Sequence, residues 1–336
     1  PSIFEFDASS PTRLKVKSAG DYFLAFTGPV SEQTRTADMR SQVHFFVKKN
    51  GSTTIQSATA RSTYVRHSSD HTESSGHMHL LLPGLSANDY LEVYTKSFDS
   101  VTQNSLKIGV STLFLEKIAA SRTIFSATGT RLVAGTNLNP NTASAMQWTQ
   151  EIADTGFTHS NSSNSQNITL DAVAKYLVFV NVPLDGNQAR ASVKMEVKLG
   201  GTMVPGGYAG QGYIRWGDGI RDASIHWAGV VTTTSANQVL TLEVGKDASG
   251  NTITIGGEKA TILIEKLSNA NSLFAASATQ LVSGDNWNPD GESEIKWATQ
   301  ESIDASKYTH STSSNAHKIF VDSAGDYLLL YNDALT

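Results

Sequence analysis

The sequence contains no cysteine among its 336 residues. This absence excludes disulfide bonds, thiolate chemistry and zinc sites built from cysteine ligands. Each folded part of the chain must therefore be stabilised by its own hydrophobic core. A unit of about 145 residues can bury close to 70 % of its unfolded surface, so a core of that size is sufficient without covalent cross-links.

The sequence also has few charged residues. They make up 17 % of the chain, whereas an average globular protein has about 25 %. The formal net charge is −5, and serine, threonine, asparagine and glycine take the place of the charged residues. Since no basic surface is indicated, we expect no nucleic-acid partner. No apolar run approaches the ~20 residues of a membrane span, so we expect no membrane insertion.

Helical periodicity is absent as well. The chain instead shows short segments rich in aromatic and branched residues, such as Tyr22–Phe26, Val43–Val47 and Asp89–Tyr94. Clusters of glycine, proline, asparagine and serine separate them, which is typical of strands joined by turns. The sequence therefore predicts an all-β chain made of tandem antiparallel jelly-roll (β-sandwich) domains.

One motif occurs three times along the chain. The first copy leads into Tyr22, the middle copy into Tyr176 and the last copy into Tyr327. A second motif begins at Phe125 and recurs at Phe274. The offset between copies is about 150 residues, which indicates a domain-sized repeat and not a short solenoid period.

These offsets predict the domain boundaries, with only the middle unit complete at about eight to ten strands. The predicted segments are a jelly-roll unit lacking its first strands (1–118), a linker (119–124), a complete unit (125–267), a linker (268–272) and the N-terminal part of a third unit (273–336).

The order of strands and aromatic residues resembles the globular head of complement component 1q and the tumour necrosis factor superfamily. The resemblance is carried by Ala19-Gly-Asp-Tyr-Phe-Leu-Ala-Phe26 and Ala324-Gly-Asp-Tyr-Leu-Leu-Leu-Tyr331, and by the paired strands in 80–94. The middle copy departs from this motif, with Ala174-Lys175 in place of Gly-Asp. The resemblance implies a jelly roll. It also implies compact trimers packed through aromatic-rich sheet faces, an arrangement that tandem units on one chain call into question.

One dense cluster of imidazoles and carboxylates precedes and enters a predicted strand. Its members are His67, Asp70, His71, His77 and His79. Because side chains alternate along a strand, the last two histidines share a face, a spacing that suits a transition metal. The alternative is a polar loop followed by a strand whose solvent face carries histidines. The middle unit keeps a single histidine in the equivalent stretch, His226.

A second candidate metal residue is Asp218, which lies in a Gly-Asp-Gly stretch and is followed by Asp222. It resembles a fragment of a calcium loop, and some members of the resembled family bind calcium. A full calcium site needs more oxygen ligands, and Asp-Gly is equally a hairpin turn signal. We expect no cofactor, with calcium as the alternative.

Tryptophans in polar loops are candidates for stacking on sugar rings. Trp216 and Trp287 lie in such loops, whereas Trp148 and Trp297 recur at one strand position, which favours packing in a core or between units.

Three asparagines, Asn50, Asn161 and Asn167, match the N-glycosylation tripeptide. Such tripeptides also arise by chance in a chain of this composition.

No catalytic motif is present in the sequence: it has no nucleophile elbow, no His-Glu-x-x-His and no phosphate-binding glycine loop. We therefore expect a non-enzymatic, extracellular or surface-exposed structural repeat protein. It would form part of a fibre, appendage or adhesin stalk and associate with neighbouring units or chains. The alternative is a carbohydrate- or receptor-binding module of the lectin or phage-fibre type.

Partial units at both ends would expose unpaired strand edges. There is no initiator methionine, and the chain opens with Pro1. We therefore expect a window on a longer repeating polypeptide. Strand exchange between chains, with residues 273–305 as the donated piece, is the alternative.

Overall fold

The structure is a computed structural model. The residues it describes are 3–6, 8–32, 40–66, 72–97, 106–136, 138, 142–187, 190–215, 222–246, 252–268, 271–284 and 292–331. They form strands that pair antiparallel, which confirms the predicted all-β class. Within these residues there is no helix long and apolar enough to cross a membrane.

Residues 4–117 are called the N-terminal block. The strands are β1 (Phe4–Phe6), β2 (Leu14–Val16), β3 (Gly20–Glu32), β4 (Arg40–Ser41), β5 (Val43–Lys49), β6 (Thr53–Arg61), β7 (Val65–Arg66), β8 (Glu73–Leu85), β9 (Tyr90–Ser97), β10 (Leu106–Ile108) and β11 (Thr112–Lys117). Two main sheets pack face to face. One has the order β1-β2-β9-β5-β6, and the other places β8 on one edge of β3 with β10 and β11 on its other edge. The short strands β4 and β7 form a separate pair.

Residues 123–266, called the middle block, repeat this strand order. The strands are β12 (Thr123–Leu132), β13 (Ser144–Ala153), β14 (Phe157–Thr158), β15 (Ile168–Leu170), β16 (Lys175–Asn187), β17 (Arg190–Leu199), β18 (Thr202–Arg215), β19 (Asp222–Thr232), β20 (Gln238–Lys246), β21 (Thr252–Ile255) and β22 (Ala260–Lys266). The order β15-β20-β17-β18 corresponds to β2-β9-β5-β6, and β22-β16-β19 corresponds to β11-β3-β8.

The described part of the C-terminal block, residues 274–331, forms two-stranded pairs. The pairing of Phe274 with Ile303 repeats that of Phe125 with Ala153. The strands are β23 (Phe274–Ser277), β24 (Gln280–Leu281), β25 (Ile295–Lys296), β26 (Thr299–Ile303), β27 (Tyr308–Thr309) and β28 (Phe320–Val321).

Alternation along the central strands decides which residues form each core. In β3, Tyr22, Leu24 and Phe26 are buried in the core of the N-terminal block, while Phe23 and Ala25 face the other way. The boundaries of β12 refine one prediction. It begins at Thr123, inside the predicted linker 119–124, so the last residues of that linker are already strand.

The three repeated tyrosines share one local arrangement. The hydroxyls of Tyr22, Tyr176 and Tyr327 each donate to the carbonyl four residues earlier, at 2.5, 3.1 and 2.5 Å respectively. The backbone before them differs. Gly20 has a φ of 147°, whereas Ala174 and Gly325, at the equivalent places, are not among the residues with positive φ, so the glycine of the third copy does not repeat the conformation of the first.

Candidate inter-block interface

The N-terminal block lies with one edge on the outer face of the middle block. Strands β6 and β8 supply the edge, and β16, β19 and β22 supply the face. The side chain of Asn181 donates to the Thr59 carbonyl at 3.0 Å, and the Arg61 amide donates to Ser224 Oγ at 3.1 Å. The corresponding strands β8 and β19 contact each other here, and β6 also contacts β16 and β19.

An apolar patch forms one part of this interface. In it the rings of Phe23 and Phe179 lie 4.7 Å apart. Strands that bury residues on both faces need apolar side chains at successive positions, as these central strands have. Burying one large apolar side chain contributes about 1.5–3 kcal/mol. The buried members of the patch are Phe23, Leu81, Ile124, Phe179, Ala228 and Leu263.

Three histidines, His77, His79 and His226, form a second part of the interface and are called the histidine group. The rings of His77 and His226 are 5.7 Å apart, and His79 lies 5.7 Å from the ring of Phe179. His77 and His79 do share a face of their strand. That face is turned toward the middle block, not toward solvent, which corrects the alternative interpretation of the sequence.

Burial decides the charge of the histidine group. It lowers the pKa of His77, lowers that of His79 to about 4 and lowers that of His226 well below its ordinary value. The three imidazoles are therefore neutral near pH 7. Among the described residues, neither ring nitrogen of His226 has a hydrogen-bond partner. His77, in contrast, lies 3.1 Å from Thr27 Oγ1 and 2.7 Å from Ser75 Oγ.

A neutral imidazole is the form that binds a metal ion. Within the described part of the chain, however, no group of three or more His, Asp or Glu side chains is placed to hold one. His67, Asp70, His71 and Asp218 lie outside the described residues. The metal site that includes them stays a prediction.

A buried ionic network centred on Arg61 forms the third part of the interface. The Arg61 side chain is 5 % exposed; its Nη1 donates to the Leu184 carbonyl at 2.8 Å and lies 3.5 Å from Asp222 Oδ2. Its Nη2 forms an ion pair with Glu258, and His44 Nε2 lies 3.5 Å from Asp222 Oδ2. A buried arginine between two carboxylates favours one alignment of the blocks, because a shifted alignment would leave charges unpaired.

Burial also shifts the acid–base behaviour of this Arg61 network. Desolvation raises the pKa of Asp222 to about 7; Arg61 opposes the rise, while Asp185 and Glu258 add to it. Desolvation, with Arg61 and Lys96 nearby, lowers the pKa of His44 to about 3. Sequence reasoning missed this network because no spacing in the sequence relates Arg61 to Asp222 and Glu258.

The remaining candidate residues lie apart from the interface. Trp216 and Trp287 fall outside the described residues. Trp148 is buried in the core of the middle block, as expected from its recurrence at one strand position. Trp297 is half-buried, and its ring lies 6.1 Å from the ring of Tyr331. Sugar binding at the first two tryptophans stays a prediction.

Two of the three glycosylation candidates are exposed and one is half-buried. The side chain of Asn50 donates to Asp89 Oδ1 at 2.8 Å, and Asn161 Oδ1 accepts a hydrogen bond from the Gln150 amide at 2.8 Å. Asn167 is half-buried just before β15. These contacts hold the first two amide side chains in local turns, and glycosylation stays a prediction for all three.

No family model and no curated protein matches this sequence. Solved structures give distant similarities. Murine APRIL at pH 8.0, of the tumour necrosis factor family, is 10 % identical with a TM-score of 0.31, over 44 % of this chain and 100 % of that one. The structure of infectious bursal disease virus Gx strain is 10 % identical with a TM-score of 0.19, over 80 % of this chain and 68 % of that one. The X-ray structure of Melon necrotic spot virus is 11 % identical with a TM-score of 0.17, over 76 % of this chain and 83 % of that one. We draw nothing about function from them.

Proposed function

We propose that the protein is a non-enzymatic structural repeat protein whose jelly-roll units pack edge on face, as part of an extracellular fibre, appendage or adhesin stalk. The observation that carries the proposal is the inter-block interface. It buries an apolar patch, a histidine group and the Arg61 network between two units of one chain. A protein that builds length from repeats needs such a contact, because each unit must hold the next in a fixed orientation.

The C-terminal block also contacts the middle block. Lys175 Nζ donates to Ser302 Oγ at 2.5 Å, and Leu330 packs against the apolar patch between the N-terminal and middle blocks. Repeated contacts between units generate closed rings or open filaments, depending on the rotation between units.

The proposal also includes the family that the fold resembles. The strand order of the middle block supports a jelly roll of the complement component 1q and tumour necrosis factor type. The low charge of the sequence supports a neutral polar surface in an extracellular setting, with self-association as the main interaction. The proposal includes no enzymatic activity and no cofactor other than calcium.

Immunogold electron microscopy on the source cells or particles tests this role. We expect label along a fibre or appendage, and label confined to the cell interior would contradict the proposal. A glycan array tests the alternative binding role. Micromolar binding that Trp216→Ala or Trp287→Ala abolishes would overturn a purely structural role, whereas an array without binding agrees with it.

A further inference from the structure

The corresponding strands β11 and β22 have different neighbours. In the middle block, β22 pairs with β16 on one edge and with β12 on the other, where Phe125 lies opposite Ile264. In the N-terminal block, β11 pairs with β3, with Leu115 opposite Leu24. Among the described residues, no strand lies along the other edge of β11.

Side-chain exposure follows from this difference. Leu113 and Phe114 of β11 are 43 % and 44 % exposed. Their counterparts in β22, Ile262 and Leu263, are 2 % and 3 % exposed. A strand edge with exposed apolar side chains is a template for another strand.

The C-terminal block contains a strand, β23, that is paired along one edge only. The sequence of β23, Phe274-Ala-Ala-Ser277, aligns with residues 125–128 of β12, and β23 pairs with β26 as β12 pairs with β13. Within the described part of the chain, no strand lies along the other edge of β23. In the middle block, the equivalent edge of β12 is the one that pairs with β22.

Within one copy of the chain these two edges are not paired with each other. The hairpin of β23 and β26 instead contacts the middle block, where Lys175 Nζ donates to Ser302 Oγ at 2.5 Å. A second copy is therefore the partner that can bring the two edges together.

We propose that the outer edge of β11 binds strand β23 of a second copy of this chain. The pairing of β12 with β22 sets the register: Phe274 lies opposite Leu115, Ala275 opposite Phe114 and Ala276 opposite Leu113. The added strand covers the exposed side chains of β11 and satisfies the backbone groups along its edge. The inference deepens the structural role proposed above and rests on it, since a head-to-tail contact of this kind closes into a ring or extends into a filament.

The absence of cysteine makes a direct test possible. Four variants each carry one new cysteine: Leu113→Cys, Phe114→Cys, Ala275→Cys and Ala276→Cys. Two are mixed at a time under mild oxidation, and non-reducing gels follow the rate of dimer formation. A disulfide needs Cβ atoms about 3.5–4.5 Å apart, and neighbouring strand positions point to opposite faces of the sheet.

The register predicts two fast pairs and two slow ones. Phe114→Cys with Ala275→Cys and Leu113→Cys with Ala276→Cys should cross-link at least tenfold faster than the two exchanged pairs. Each variant occurs in one matched and one mismatched pair, so altered reactivity or misfolding of a single variant cannot produce this result. Equal rates for all four pairs, or no cross-linking, would overturn the inference.

Sedimentation velocity supplies a second measurement. The unaltered chain should associate as its concentration rises, and Phe114→Lys should abolish that association because a charge on a strand edge blocks pairing. Association that Phe114→Lys leaves unchanged would contradict the inference. Failure of these tests leaves the microscopy and glycan-array results standing, so failure of the inference is distinguishable from failure of the proposed function.

Discussion

The middle and C-terminal blocks contain similar motifs that differ in burial. The rings of Tyr176 and Tyr327 are 0 % and 45 % exposed, although both hydroxyls make the same local hydrogen bond. Leu170 and Val321, at another equivalent pair of positions, are 0 % and 49 % exposed. The local sequence is thus enough to form the turn, whereas burial depends on a sheet that comes from distant parts of the chain.

The aromatic contacts support the same distinction. Phe157 lies 5.8 Å from Tyr176, and Tyr308 lies 6.1 Å from Tyr327. In the middle block this contact lies between β16 and the sheet of β14, β15, β20 and β17, and both rings are buried. In the C-terminal block the described residues form only two-stranded pairs, so the same contact stays open to solvent.

The largest difference is expected from removing the two tyrosine rings. Tyr176→Ala should cost about 3–5 kcal/mol, the range for large aromatic residues deleted from a core. Tyr327→Ala, the matched control, should cost less than about 1 kcal/mol because its ring is half exposed. Hydrogen exchange of the middle-block and C-terminal-block amides measures each loss. Equal losses of free energy for the two variants would mean that the two tyrosine rings do not differ in burial.

The next effect concerns the interface that covers the middle block. Arg61→Met should weaken the contact between the N-terminal and middle blocks by about 3 kcal/mol, because Asp222 and Glu258 lose their buried cation. Arg131→Met, at an exposed position, is the control. Hydrogen exchange of β6 and β19 reports the change, and the C-terminal block should stay unaffected. Unchanged protection in these two strands would show that the Arg61 network does not hold the blocks together.

Acid should weaken the same interface. His44 is buried, and His77, His79 and His226 are half-buried. All four have lowered pKa values in the folded state, so their contribution to stability is present above about pH 6.5 and is lost as the pH falls below it. At pH 5, each histidine that stays neutral in the folded state lowers the free energy of unfolding by about 2 kcal/mol.

Asp222 acts in the opposite direction, because its raised pKa makes the folded state bind a proton between about pH 7 and 4. The histidines outnumber it, so the net effect of acid is a loss of stability. His44 faces the charged groups of Asp222, Arg61 and Lys96, whereas His77 contacts the uncharged hydroxyls of Thr27 and Ser75. The free energy of unfolding, measured from pH 7.5 to 5, gives the number of protons that the protein takes up when it unfolds. His226→Gln should reduce that number by about one. A flat profile would show that these histidines are not buried in solution.

The smallest effect separates the tyrosine hydroxyl from its ring. Tyr176→Phe should cost about 1 kcal/mol, the usual net contribution of one hydrogen bond, because the Ala172 carbonyl loses its donor. Tyr327→Phe should cost less, since water reaches the Ser323 carbonyl once the hydroxyl is gone. A loss for Tyr327→Phe as large as that for Tyr176→Phe would contradict this interpretation.

Much of the fold could be predicted because the signals are local. Alternation identified the strands around Tyr22 and Tyr176, and it placed His77 and His79 on one face of β8. The pattern of a strand tells which side chains share a face, but it does not tell what covers that face. The sequence therefore did not predict that His79 meets Phe179 from another block.

The ionic part of the interface could not be predicted for a related reason. Arg61 ends one strand, and Asp222 begins another that is far away in the sequence. Only the packing of the two blocks brings them together with Glu258, so neither composition nor spacing carries the information. Each of these residues alone is typical of a solvated strand end.

A double-mutant cycle between Phe23 and Phe179 tests the central claim most directly, because these rings join two units of the proposed repeat. Hydrogen exchange of the middle-block strands gives the free energies for Phe23→Ala, Phe179→Ala and the double variant. The packed rings, 4.7 Å apart, predict a coupling energy of about 1 kcal/mol or more. Losses that add to within about 0.3 kcal/mol would contradict the edge-on-face contact.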